Sequence, residues 1–216
     1  MQDLAEAWHT LLARYSTTGD ADATGRAVLA RWAQPHRRYH TLTHLRGVLT
    51  AVDELAPSVL KTAADVDAVR LAAWYHDAVY DCRSDDEEQS ARLAESDLAA
   101  LGVPADLVAE VARLVRMTVE HDPAPDDTNG AVLSDADLAT LALPPAEYRR
   151  NGEAIRQEYA HVAEPAFRAG RAPIIEGLLA APVLYRTPVG RQRWEQAARA
   201  NLTAELAALT EPPGQN

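Results

Sequence analysis

Apolar side chains recur along this chain at intervals of three and four almost from end to end, which is the spacing of one face of an α-helix. Leu4, Trp8, Leu11, Leu12 and Tyr15 make a first such face, broken by Gly19 and Asp20. Val28, Leu29 and Trp32 make a second, closed before Pro35. Leu42, Leu45, Val48, Leu49, Val52 and Leu55 form a clear stripe on a third helix, which Pro57 is expected to stop. On a fourth, Val66, Val69, Ala73 and His76 share a side, so a histidine sits among apolar positions. Residues 81–83 read as a loop. Ser84 followed three residues later by Glu87 is a capping-box signature, and Asp85 and Asp86 suit the first turn of the helix that follows. That helix runs to Leu101, with Gly102 at its exit. Pro104 opens another, with Leu107, Val108, Val111, Leu114, Val115 and Thr118 on one face.

Residues 121–130 are the most polar and turn-rich stretch, and are expected to form a mobile loop at the rim of a site. A short helix is expected over 131–141, carrying Asp135 and Asp137. Pro144 and Pro145 restart the chain, after which Tyr148, Ile155, Tyr159 and Val162 recur at helical spacing. Two further helices are expected over 173–179 and 191–209, with residues 210–216 as a frayed tail. No alternating strand pattern competes and no internal repeat is evident. The expectation is an all-α fold, an irregular multi-helix bundle of about nine or ten helices in a single domain. Its core spans about residues 1–143, and a C-terminal helical extension covers about 144–210.

The length of 216 residues is enough to bury a core without covalent staples. Cys82 is the only cysteine, which excludes an internal disulfide and fits a reducing compartment. The opening MQDLAEAWHT has an acidic residue and no apolar h-region, so it does not read as a secretory signal. No apolar run approaches the roughly 20 residues that span a bilayer. A soluble cytoplasmic protein with no membrane association is therefore expected. The net charge of −11 repels phosphate backbones and argues against nucleic-acid polymers as partners. A small phosphorylated molecule stays compatible, because a metal ion and a few arginines can reverse the field inside a pocket. The oligomeric state is not legible.

The chemistry centres on Trp74-Tyr75-His76-Asp77. Adjacent helical residues point about 100° apart. His76 and Asp77 therefore converge on one ion only if it lies off the helix side and other segments supply partners. His40 and His44 come before the pair, Asp135 and Asp137 after it. His40 and His44 are four residues apart, so on a helix they share a face. Two imidazoles and two carboxylates form a borderline-hard N/O set, suited to a divalent ion such as Mn, Fe, Ni, Zn, Co or Mg. Such a set leaves positions open for water, which becomes a nucleophile as its pKa falls towards neutrality.

The order H…HD…D on an all-α chain resembles the HD-domain superfamily of metal-dependent phosphohydrolases. RYHTLTHL, WYHDAVYD, DDEEQSA, SDADLATL, IRQEYAHV, AGRA and ARANLTAEL, taken in order, resemble one bacterial branch of it, the predicted HD-superfamily metal-dependent phosphohydrolases of about this length. The resemblance spans roughly residues 38–206. It implies an HD-type bundle, a divalent metal cofactor, and hydrolysis of a small phosphorylated metabolite or nucleotide by attack of metal-bound water on phosphorus.

Residue by residue, it implies His44, His76 and Asp77 as the first three metal ligands. The fourth is the aspartate of an Ala-Asp pair followed two residues on by a small or apolar residue. Asp137, after Ala136 and before Ala139, fits this; Asp135, with charged Asp137 two residues on, is the second choice. Asp77 or Glu87 would help deprotonate the water, and His40 or His121 would protonate the leaving group. Arg156 and Arg171 would neutralise phosphate charge, with Ser90 as a further substrate-binding candidate. Asp86 departs from the branch, which has Asn there.

Each of these residues also has a structural role open to it. His40 can brace its helix, Glu87 can complete the capping box with Ser84, His121 can serve as a helix-end cation, and Asp135 can be an N-terminal helix charge. Arg156 and Arg171 have Glu153, Glu158 and Glu176 as possible surface partners. Tyr39, Trp74 and Tyr159 are expected in the core, and His9, His36 and His161 carry no assignment. Two other functions draw on the same ligands. One is an HD-fold di-iron oxygenase using His40 and His121 as extra ligands. The other is a non-catalytic sensor or binding module whose metal is structural, with no open coordination position.

Overall fold

The computed structural model describes residues 3–15 and 17–210. Residues 211–216 of the expected frayed tail lie outside the described residues, and Thr210 is the last residue of a helix. Among the described residues there are ten α-helices, one short 3-10 helix and no strand. The helices are α1 (Leu4–Leu12), α2 (Ala21–Trp32), α3 (Leu42–Val59), α4 (Ala63–Tyr75) and α5 (Asp86–Ala100). They continue with α6 (Ala105–Met117), α7 (Thr128–Asp137), the 3-10 helix (Leu138–Ala142), α8 (Pro145–Glu158), α9 (Glu164–Ala180) and α10 (Pro188–Thr210). None is long and apolar enough to cross a membrane.

Local chemistry sets most of the helix starts. Asp3, Asp20, Thr41, Thr62 and Asp127 each accept a first-turn N–H with the side chain, satisfying donors that have no partner within the helix. The box expected from Ser84 and Glu87 does not form: α5 begins at Asp86 with no side-chain cap bond. Asp86 turns back instead and accepts from the Asp81 and Arg83 amides at 2.8 and 2.9 Å, so it anchors the 81–83 loop. Pro57 does not stop α3, which runs on to Val59. Only one N–H is lost there, and the Leu60 amide still donates to Ala56 O at 2.8 Å. Pro173 likewise lies inside α9, so the helix expected over 173–179 starts earlier, at Glu164. The helix expected over 131–141 is two elements, α7 and the 3-10 helix, which join at Asp137.

Helix α4 is the hub. Its last five residues, Leu71, Ala72, Ala73, Trp74 and Tyr75, are all essentially buried, as expected of a stretch apolar all round. Trp8, Trp32, Leu45, Val52, Leu98, Leu114 and Leu133 complete the main core. A second cluster of Tyr148, Ile175, Leu184, Tyr185, Ala198 and Leu202 packs the C-terminal helices, and Trp194 touches both clusters. Polar bonds tie the two halves further. Asn201 Nδ2 donates to Leu141 O and Leu143 O at 2.8 and 2.9 Å, and the Tyr185 hydroxyl donates to Leu138 O at 2.9 Å.

Candidate metal centre

Three chain segments deliver nitrogen and oxygen donors to one buried point. His44 stands in the first turn of α3, fixed by the cap at Thr41. His40 precedes that cap, so the two histidines do not share a helix face; one arrives from the helix and one from the turn before it. His76 is the C-cap of α4, and Asp77 lies just past it. His76 keeps helical dihedrals and its amide still bonds Ala72 O, yet its Nε2 lies 3.3 Å from Asp77 Oδ2. Asp137, the last residue of α7, approaches from the third segment.

His44 Nε2 and His76 Nε2 are 3.4 Å apart. Asp137 Oδ1 lies 2.9 Å from His44 Nε2 and 3.5 Å from His76 Nε2. His44, His76 and Asp77 each bring one donor atom to within 4.8 Å of the other two. Outside this group, His40 Nε2 is 3.9 Å from Asp77 Oδ2 and His121 Nε2 is 3.4 Å from Asp137 Oδ2.

The hydrogen bonds orient the rings. Ala73 O accepts the His76 Nδ1–H at 2.9 Å, which turns Nε2 towards His44 and the carboxylates. His44 Nδ1 is buried without a hydrogen-bond partner, and the ring packs against Tyr39, with centroids 4.9 Å apart. Burial works to lower the His76 pKa, but Asp77 and Asp137 outweigh it and raise it well above the ordinary imidazole value. Burial likewise raises the Asp137 and Asp77 carboxyls, and the imidazoles reverse the sign and hold both below the usual carboxylate range. Protons thus supply the positive charge that the two carboxylates demand. A divalent cation would replace them, and the N/O donor set fits such an ion.

Two supporting residues escape a reading of the sequence. Glu158, the last residue of α8, accepts the amides of Arg38, Tyr39 and His40 on Oε1 at 2.7, 2.8 and 3.0 Å. Its Oε2 takes the His40 Nδ1–H at 2.7 Å, which points His40 Nε2 at Asp77. Burial raises the Glu158 carboxyl, but His40 and the backbone amides outweigh it and hold it at about 2. Arg37 is buried; it donates to His40 O, Asp77 O and Ala78 O at 3.1, 2.8 and 3.2 Å, and lies over the Trp32 and Tyr80 rings. The IRQEYAHV segment contains Glu158, but only as a possible surface partner for arginine; Arg37 has no sequence signal beyond its place beside the RYH run.

A cavity of about 1010 Å³ opens above these groups, with His40, Asp77, His121 and Asp137 in its lining. Glu87 stands on the wall, where burial and then the nearby Asp77 raise its pKa. His121 has a left-handed backbone, φ 52°, and faces Ser134 Oγ through Nδ1 at 3.2 Å. Burial lowers its pKa, so it presents a neutral ring to Asp137. Of the polar 121–130 stretch, His121 and Asp122 reach the cavity, while Asp127 caps α7.

Other expected site residues go elsewhere. Asp135 is fully buried and accepts the Arg186 and Thr187 amides at 2.7 Å each, so it is a brace for the chain before α10 and not a partner of the imidazoles. Ser90 is buried against Val79, accepting its N–H at 3.0 Å and donating to its carbonyl at 3.2 Å, and does not line the cavity. Arg156 spends its donors on Glu164, Tyr159 O and Val162 O at the end of α8 and lies over the Phe167 ring, behind residues of the cavity wall and not itself in the lining. Arg171 does line the cavity, paired with Glu205 at 2.9 Å and with none of the glutamates the sequence suggested. Tyr39 and Tyr159 line the cavity as well, whereas Trp74 is core as expected. No protein-family model matches this chain, and a search of curated proteins returns no match.

Proposed function

We propose that this protein is a metal-dependent phosphohydrolase of the HD type, acting on a small phosphorylated compound. One observation carries the reading: His44 Nε2, His76 Nε2 and Asp77 converge within 4.8 Å, with Asp137 Oδ1 against both imidazoles, and Asp77 and Asp137 line a cavity large enough for a metabolite. These four residues would hold a divalent ion (Mn, Fe, Ni, Zn, Co or Mg). Such an ion polarises a phosphoryl oxygen and makes a water acidic enough to attack near neutral pH.

The rest of the chemistry belongs to the chain. Glu87, with its pKa raised, is the wall group suited to accept a proton. His40, pinned through Nδ1 by Glu158, presents Nε2 to the cavity floor, where it can protonate a leaving oxygen. Arg171 and Arg186 are the two arginines of the wall and supply positive charge towards a bound phosphate.

The test is metal analysis of the purified protein, followed by turnover of phosphorylated metabolites with added Mn, Mg, Ni or Co. His76→Ala is expected to lose both bound metal and phosphate release while circular dichroism stays helical. Unfolding of this variant would instead mark the metal as structural. A dinuclear oxygenase is the second reading, supported by His121 and His40 on the outer sides of Asp137 and Asp77. Two irons per chain and oxygen uptake without phosphate release would replace hydrolysis with it.

A further inference from the structure

The cavity has two chemically different ends. One end is the cluster of histidines and carboxylates. The other is a face of α9 where Phe167, Gly170, Pro173, Ile174, Gly177 and Leu178 follow helical spacing and carry no polar side-chain atom, with Arg171, paired to Glu205, the one charged residue on that stripe. Val119 joins this lining from the turn after α6. Among the described residues, the exposed large hydrophobics are Val119 at 59% and Ile174 at 57%, and both line this one cavity. Apolar surface left in water is a standing cost that an apolar ligand would relieve.

The glycines sharpen the point. Glycine inside a helix is destabilising relative to alanine. Neither Gly170 nor Gly177 has a positive φ, and a Cβ built on either meets nothing within 4 Å. What they leave open is room along the α9 wall.

Charge sets a second limit. Arg171 is already paired with Glu205, and Arg186 with Asp122. Asp77, Glu87, Glu120 and Asp137 also line the cavity. A run of phosphates needs several unpaired donors or cations. With both wall arginines already held by carboxylates and Arg186 Nε their one buried donor without a partner, the wall can serve one phosphate at the centre but not a run.

We propose, on the phosphohydrolase reading above, that the substrate is a monophosphate ester of an apolar alcohol, its hydrocarbon part seated between α9 and Val119. Nucleoside polyphosphates and sugar phosphates do not fit this division.

The experiment is calorimetric binding of methyl-, butyl- and octylphosphonate to the full chain with Mn present, alongside turnover of 1-naphthyl phosphate, glycerol phosphate and ATP. Octylphosphonate is expected to bind at least about tenfold tighter than methylphosphonate, the scale of apolar discrimination in a pocket. Gly177→Leu and Ile174→Asp are each expected to erase most of that gain while helicity is retained. Naphthyl phosphate should be turned over with a higher kcat/KM than glycerol phosphate or ATP. Equal affinity for the three phosphonates, or a gain untouched by both variants, would overturn the inference, as would a dimer in light scattering that is broken by Ile174→Asp. Chain-length-dependent binding with no phosphate release under any metal would support the apolar seat and sink hydrolysis alone.

Discussion

At the scale of single residues, Asp135 and Asp137 show how one helix separates two roles. Two residues on a helix turn the side chain through about 200°. Asp137 consequently meets the imidazoles, while Asp135 meets the amides of Arg186 and Thr187. Asp137→Asn is expected to reduce bound metal, read by elemental analysis, with little change in folding. Asp135→Asn should keep the metal and lose about 1–3 kcal/mol of stability in urea, because one of two buried amides loses a charged acceptor. The resemblance preferred Asp137 for its Ala-Asp pairing and kept Asp135 as second choice; Asp137 is the one beside the imidazoles. Glu158 was beyond such a reading, since its partners at residues 38–40 are over a hundred positions away. Glu158→Gln should weaken the hold on three amides and on His40, costing about 1.5–3 kcal/mol. Its carboxyl sits at about 2 in the fold against an ordinary 4.5. The stability it contributes is therefore present above pH 4.5 and is lost as pH falls towards 2. Melts across that window should show a shallower acid decline in the variant than in the parent.

At the scale of elements, the helices were legible because periodicity and caps are local. Asp20, which breaks the first apolar pattern, caps α2, and Gly102 sits at the exit of α5 as expected, with φ 77°. Proline was an uneven guide: Pro35 follows the end of α2 as expected, but Pro57 and Pro173 are absorbed inside helices. Packing between elements left no local trace. Gly25 of α2 lets the Trp8 ring of α1 lie against the backbone; a Cβ there would come 2.4 Å from Trp8 Cδ1. The same indole donates Nε1–H to Ala21 O at 2.7 Å, so it cannot simply swing aside. Gly25→Ala should cost about 1–3 kcal/mol by chemical denaturation. Gly152→Ala in α8, where a Cβ meets nothing within 4 Å, should be neutral or stabilising by up to about 1 kcal/mol.

At the scale of the whole molecule, the order of histidines and aspartates in the sequence named the groups but not their meeting. Residues 44, 76, 77 and 137 approach one another only because α3, α4 and α7 pack together. The cavity was less legible still. Its far wall comes from α9, whose apolar side reads in sequence like any core face, whereas Ile174 is more than half exposed. If the centre takes a divalent ion, folding and binding are linked. A hundredfold excess over Kd adds about 2.7 kcal/mol, which for a chain of this size raises Tm by roughly 5–10 °C. Differential scanning fluorimetry with Mn or Ni should show that rise, and a chelator should reverse it. The effect should shrink in acid, because imidazoles must shed protons to bind a metal.

Arg37 gives the assembly a property that none of its ligands has alone. Its guanidinium grips the carbonyls of His40, Asp77 and Ala78 while stacked between Trp32 and Tyr80. Two turns some forty positions apart are thereby clasped by one rigid, planar cation. Neither turn can open to solvent without releasing the other, so their amides should share a single opening event in hydrogen exchange, and the floor of the cavity should come apart as a unit.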